Sequence, residues 1–315
     1  IRAADWIVDV GPEAGYNGGE IVFCGPAKKL SACRKSLTAD YLAGRQRIEP
    51  PSTPRGWSHS IVVKGARENN LQNIDVRFPL GAMTCVTGVS GSGKSSLVKG
   101  ILYPAMKRRL DEVAEVPGEY SGMEGDWRQV RHVEFVDQNP IGKSTRSNPA
   151  TYVKAYEEVR RIFADQPLAK QMGFTPQYFS FNTEGGRCEE CKGAGVITVE
   201  MQFMADLTLT CEACHGERFK REVLDVRFHG KNINDVLNMT VAEAIDFFGK
   251  HGERLVAKRL KPLADVGLGY IRLGQSSSTL SGGENQRVKL AYFIGQEKQD
   301  PTLFIFDEPT TGIHF

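Results

Sequence analysis

The 315-residue chain carries 40 Lys+Arg against 38 Asp+Glu, a formal net charge of +2, with 40% hydrophobic residues. That composition suits one large or two medium globular domains and excludes a disordered tail or a disulfide mini-protein. No apolar run reaches the roughly 18 residues of a membrane helix, and the balanced charge leaves any anionic partner to local patches or backbone amides.

No secretory signal is visible, so the chain is expected in the cytoplasm. Ile1 stands where a Met would begin a whole protein, which predicts a start inside a longer chain. Residues 1–48 predict two short strands, IVDV and EIVF, around the turn GYNGG, then a polar stretch. That stretch holds Lys28, Lys29, Arg34, Lys35, Arg45 and Arg47 against Asp40 and reads as a solvated face. PPSTPRGW, residues 50–57, reads as a linker. Strand-like segments SIVVKG, IDVRFP and MTCVTG follow within 58–88, then a helix from about Lys94 to Leu110 and a buried strand HVEFVD at 132–137. Helices are predicted at about 150–165, 240–249 and 252–265, the middle one opened by a Thr240–Glu243 capping box. A helix from Ser281 and the strand TLFIF at 302–306 complete an α/β nucleotide-binding core interrupted by a long insert.

Four of the seven cysteines form two pairs, Cys188–Cys191 and Cys211–Cys214, separated by 19 residues. This is the spacing of a tetrahedral four-thiolate zinc site, each CxxC turn gripping one ion with two sulfurs. VITVEMQF between the pairs has strand character, so the two turns are expected to meet across a hairpin-like excursion. The alternatives are two disulfides, which nothing exported about the chain favours, or four unrelated thiols.

GVSGSGKS, residues 88–95, matches GxxxxGK[ST] between a strand and a helix. The stretch Gly88, Val89, Ser90, Gly91, Ser92, Gly93, Lys94, Ser95 and Ser96 is therefore the candidate ATP-binding loop. Its glycines let successive amides face the phosphates, and the helix start adds partial positive charge. Lys94 is expected at the β- and γ-phosphates and Ser95 at Mg2+. In LFIFDEP, 303–309, Asp307 is placed to support magnesium and Glu308 to polarise the attacking water. In LSGGENQR, 280–287, Ser281 and Glu284 form a capping box. The Ser281 hydroxyl and the amides of Gly282 and Gly283 then suit a terminal phosphate.

LSGGENQR also resembles the signature motif of the ABC ATPase superfamily. That resemblance implies that Ser281, Gly282 and Gly283 serve nucleotide held by an opposing domain, that Gln138 is the Q-loop residue near magnesium and water, and that TTGIH, 310–314, is the D-loop. About 140 residues separate Gln138 from Ser281, far more than a transporter ATPase uses. DQNPIGKSTRSNPATY, FSFNTEGGRCEECKGAG and DVGLGYIRLGQSSSTLSGGENQR resemble the UvrA family, the damage-sensing ATPases of bacterial excinuclease, along essentially the whole chain. The implied fold is an ABC-type P-loop ATPase core with a large, mostly helical signature insert carrying a four-cysteine zinc module at 188–214. The implied domains are 1–49, the tail of a first ATPase domain; the linker 50–57; 58–138, the phosphate-loop part of a second; the insert 139–275; and 276–315, its signature helix, acidic strand and D-loop, cut short. The implied function is ATP-dependent recognition of damaged duplex DNA in nucleotide excision repair, with homodimerisation and loading of UvrB through regions this chain does not contain. The implied cofactors are ATP, Mg2+ and Zn2+; hydrolysis belongs to the full protein.

Two further expectations follow from the family's repeat architecture and from local charge. Residues 4–25 are expected to pack against the sheet of 83–88 and 302–306, covering its otherwise exposed edge. The DNA-contact candidates are Lys143, Arg146 and Lys154, in an acid-free stretch, then Arg187 and Lys192 beside the cysteines, with Arg218, Lys220 and Arg221 also bordering them. Tyr152, Tyr156, Phe179 and Phe181 read as core rather than as stacking platforms. The alternative functions are a transport ATPase, which the zinc insert argues against, and a UvrA-like nucleotide-gated clamp without lesion recognition.

Overall fold

The fold is described from a computed structural model, for all residues except 16–17, 143, 145, 200, 202–206, 297–299 and 311–315. The chain divides into two compact units, the first built from Ile1–Arg47 and Gln138–Gln296, the second from Ile48–Asp137 and Glu297–Pro309. In chain order the strands are β1 (Trp6–Gly11), β2 (Glu20–Pro26), β3 (Ser60–Ala66), β4 (Ile74–Pro79), β5 (Gly122–Gly125), β6 (His132–Val136), β7 (Val196–Val199), β8 (Leu207–Thr210) and β9 (Thr302–Phe306). The five longest α-helices are α1 (Tyr103–Arg109), α2 (Ala155–Ala164), α3 (Val241–Lys250), α4 (Arg254–Asp265) and α5 (Gly282–Ile294).

In the second unit, β3 lies between β4 and β5 in an antiparallel sheet. Ile61 and Val63 alternate into the core and are fully buried, the period-2 pattern of a strand with one wet face. β6 and β9 pair in parallel, His132 opposite Thr302 through Val136 opposite Phe306. Between β4 and β5 in sequence, a π-helical turn, Ser96–Leu102, runs directly into α1. Leu97, Ile101, Leu102, Ala105 and Met106 from this continuous helix share a core with Ile61, Val63, Phe78, Val133 and Ile305.

The first unit holds the helical body. Helix α4 packs against α3, α2 and α5. Phe163, Phe248, Leu260, Leu263 and Leu268 are fully buried in one core, each worth about 1.5–3 kcal/mol of burial. The capping box predicted at Thr240–Glu243 forms: each side chain accepts from the other residue's backbone amide. Tyr156, Phe179 and Phe181 are buried and Tyr152 packs partly buried against the same core, as their reading as core requires. Glu158 bridges Arg161 of its own helix, at 2.9 Å, and Arg259 of α4, at 3.0 Å. Ahead of this body, β1 and β2 form an antiparallel hairpin whose Asp9 accepts from the hydroxyls of Ser36 and Thr38. No helix among the described residues is long and apolar enough to cross a membrane.

Two expectations need correction. MTCVTG, 83–88, is not a strand: Met83 is 99% exposed, and the segment joins no described sheet. Strand propensity without a neighbouring strand to take the amides and carbonyls does not make a sheet. Finally, the helix expected over 150–165 is broken. A short helix, Pro149–Tyr152, stops before Lys154, whose φ of 60° is left-handed, and α2 starts beyond it.

Candidate functional site

The phosphate-loop residues lie in the second unit, together with the acidic end of β9. Gly88, Gly91 and Gly93 all take positive φ, which curls the loop in a way a side chain would resist. At Gly93 the space is closed as well: a Cβ would lie 2.8 Å from Leu71 Cδ2 and 3.0 Å from Asn70 Oδ1. The Lys94 ammonium folds back into the loop and donates to the carbonyls of Gly88 and Val89, both at 2.8 Å. Ser95 leads into the π-helical turn, and the Leu97 amide returns to the Gly93 carbonyl at 2.9 Å. Asn70 donates to the Gly91 carbonyl at 2.9 Å, and Asn69 donates to the Ser96 hydroxyl at 3.0 Å. Sequence reasoning missed this pair of braces; the signal was RENNLQN, an asparagine-rich turn, with Asn69 itself left-handed.

Asp307 and Glu308 follow β9, and the Asp307 amide donates to the Val136 carbonyl at 3.2 Å at the end of β6. They therefore leave the carboxyl ends of two parallel strands, the edge at which open α/β sheets bind ligands. Glu308 has a φ of 47°, a left-handed conformation that costs energy in a non-glycine residue and recurs at active sites.

The signature residues and Gln138 lie in the first unit. Ser281 caps α5: its hydroxyl accepts from the Glu284 amide at 3.3 Å, and its own amide donates to Glu284 Oε2 at 2.7 Å. The hydroxyl proton stays available to an oxyanion while the oxygen caps the helix. Gln138 stands against this turn, since a Cβ on Gly282 would lie 2.8 Å from Gln138 Oε1. Buried Asn285, also missed from sequence, donates to the carbonyls of Ser277, Leu280 and Ser281 and accepts from the Ile141 amide. Its one side chain fixes the whole approach to the helix. Of TTGIH, only Thr310 falls within the described residues.

The four cysteines of the two CxxC pairs converge in the first unit. Their sulfurs all lie within 4.8 Å of one another and all four residues are buried. Cys188 and Cys211 sulfurs are 4.0 Å apart, Cys191 and Cys214 sulfurs 3.6 Å. Sulfurs about 2.3 Å from a tetrahedral zinc ion stand about 3.8 Å apart, whereas disulfide sulfurs bond at about 2.05 Å. The four thiols are free. After each pair the chain turns the same way, with left-handed Lys192–Gly193 and His215–Gly216. These turns aim amides at the sulfurs, as in the 3.2 Å bond from Gly195 N–H to Cys191 Sγ. Burial pushes the Cys188 and Cys214 thiols up, against opposing hydrogen bonds from backbone amides. The donor set and spacing fit one closed, four-coordinate soft metal. The strand character of VITVEMQF is realised in part: β7 pairs with β8, Val196 opposite Thr210.

The DNA-contact candidates are placed unevenly. Lys143 lies outside the described residues. Arg146 donates to the Lys192 carbonyl at 3.3 Å, which brings those two together beside the cysteines. Arg187 turns inward, its side chain 14% exposed, and donates to the Asn182 carbonyl at 3.2 Å. Lys154 stands apart, its ammonium 5.8 Å from the centre of the Tyr292 ring. Arg218 is half-buried and donates to the Gly274 carbonyl at 2.9 Å.

No protein-family profile matches the chain. Its full length is 52% identical to part of UvrABC system protein A of Streptomyces avermitilis and 49% identical to part of that of Thermus thermophilus. It spans about a third of those proteins, 31% and 33%. Among solved structures it is similar to UvrA2 from Deinococcus radiodurans, with a TM-score of 0.91 and 47% identity over 99% of this chain and 37% of that one.

Proposed function

We propose a function for this chain on the premise that, along its whole length, it belongs to the UvrA family. The chain is a segment of an ABC-type ATPase that binds ATP with magnesium, carries one structural zinc ion and contacts duplex DNA in nucleotide excision repair. The observation that carries the reading is the joint presence, in one unit, of the curled 88–95 loop and the acidic end of β9. Such a pair is what phosphate binding and water activation require.

In this reading the amides of 88–96 hold the phosphates. Lys94 leaves the Gly88 and Val89 carbonyls to neutralise them. Ser95 and Asp307 would hold magnesium, which would supply charge neutralisation at the phosphates. Glu308 takes the proton of the attacking water, and Gln138 orients that water or senses the phosphate. Ser281, Gly282 and Gly283 offer a hydroxyl and two amides to nucleotide on an opposing domain. Cys188, Cys191, Cys211 and Cys214 would hold zinc, and a complete four-thiolate donor set is that of a structural rather than a catalytic site. Lys143, Arg146, Lys154 and Lys192 are the candidates for DNA phosphates, giving contacts indifferent to sequence, while Arg187 is engaged by Asn182 and Glu184. Lesion preference then rests on duplex deformability, and UvrB loading and homodimerisation belong to the longer protein.

Equilibrium titration of ATP–Mg2+ onto the chain tests the reading. Lys94→Ala is expected to weaken binding about 10- to 100-fold, the loss of a charge-assisted contact to phosphate. Equal affinity of both proteins would sink it.

A further inference from the structure

The main chain at Glu217–Arg218 touches both halves of the cysteine cluster. The Glu217 amide donates to the Cys214 carbonyl at 2.8 Å, and the Arg218 carbonyl accepts the Cys188 amide at 2.8 Å. The Arg218 φ of 73° is left-handed, a strained conformation for arginine that the two knuckle contacts hold in place. The side chain then runs inward. Its charged carbon sits 5.8 Å from the centre of the Phe181 ring, and one guanidinium nitrogen donates to the Gly274 carbonyl. Gly274 is fixed in turn, because its amide donates to the Leu237 carbonyl at 2.8 Å in the helical core. On the way the Arg218 side chain passes the cluster: a Cβ on Gly195 would lie 3.4 Å from Arg218 Nε, and the Gly195 amide donates to Cys191 Sγ at 3.2 Å.

Four thiolates around one divalent ion leave a net charge of about −2 in a buried place, which is costly without a compensating cation. The nearby Lys220 answers a different acid, pairing with exposed Glu189 at 2.5 Å. The module has little apolar support of its own: its buried cluster consists of the four cysteines, with Ala194 and Ile197 packed beside them. Leu207 and Leu209 on β8 are about half exposed, at 50% and 49%. Charge compensation and an anchor to the helical body therefore carry much of what holds the metal.

We propose that Arg218 is the positioning residue of the metal module, supplying the counter-charge for the zinc–tetrathiolate and tying it to the turn at Gly274. The DNA-contact assignment that its sequence position invites is replaced by this inward role. The proposal rests on the zinc reading of the four cysteines. Residues that support metal ligands from outside the coordination shell typically change metal affinity about 10- to 100-fold when removed.

The test is zinc content of the purified chain, followed by the rate of zinc release to a chromogenic chelator, for the wild type, R218K and R218M. Cobalt-substituted samples report ligand geometry through their absorption bands, and far-ultraviolet circular dichroism reports the helical body. The wild type is expected to hold one zinc per chain. R218M, which keeps length without charge, is expected to release it about 10-fold faster or more, with unchanged helix content. R218K, which keeps the charge, is expected to stay within about threefold of the wild type. Release from R218M at the wild-type rate, or from R218K as fast as from R218M, would overturn the proposal. A wild-type chain without zinc would overturn the zinc reading and the proposal together.

Discussion

The hydroxyl of Tyr270 donates to Glu284 Oε1, while the other oxygen of the same carboxylate accepts the Ser281 amide at 2.7 Å. The carboxylate that caps α5 is thus held from both sides, and the signature turn inherits its rigidity. Tyr270→Phe is expected to lower the stability of the first unit by about 1 kcal/mol, read from its urea midpoint. Burial, then the Glu284 partner, pushes the Tyr270 hydroxyl up to about 12. An unfolded tyrosine ionises near pH 10, so the unfolded chain loses this proton first. Stability attributable to Tyr270 is therefore present below pH ~10 and declines as pH rises through 12. A flat wild-type profile over that window, or one that Tyr270→Phe shares, would argue against the pairing.

In the phosphate loop, Gly93→Ala is expected to do more harm than its size suggests. The added methyl meets Leu71 and the Asn70 side chain that braces the loop, at a φ of 99°. ATP affinity is expected to fall about tenfold or more while zinc content stays at the wild-type value. Unchanged nucleotide affinity would show that the loop tolerates side chains at this turn.

Zinc removal is expected to act locally. The hairpin of β7 and β8 leans on the cysteine cluster, whereas the helical body has its own core around Phe248 and Leu260. A strong chelator should expose amides of 188–221 to hydrogen exchange and leave the α3 and α4 amides protected. Protons compete with the metal for thiolate ligands, so zinc release should quicken as pH falls. Loss of protection throughout both units would contradict the local assignment.

Phe248 is fully buried, and its ring stacks at 6.1 Å on Phe228. Phe248→Ala is expected to destabilise the first unit by about 3–5 kcal/mol in chemical denaturation. The phosphate-loop unit has a separate core, so its nucleotide affinity should change far less.

What sequence reading captured was mostly local. The capping boxes at Thr240 and Ser281 form because each pair lies three residues apart on one helical turn. The cysteine spacing was legible because metal chemistry restricts it. The failures are long-range or depend on missing neighbours. Nothing near Gly282 in sequence announces that Gln138 stands against it. Arg218 reads as a surface cation until its Gly274 partner, 56 residues away, is known. The 83–88 segment has strand chemistry, but pairing decides sheets, and it finds no partner among the described residues. Helix propensity puts Lys154 inside a helix because it is silent about one left-handed residue.

The most direct test of the central claim is binding of the chain to duplex DNA, with and without a bulky lesion, in ATP–Mg2+ across a salt series. The account predicts binding that weakens steeply with salt, favours the lesion, and loses about one unit of salt slope in Lys154→Ala. A chain that holds zinc and ATP yet shows no salt-dependent affinity for either duplex would contradict the placement of DNA contacts in this segment.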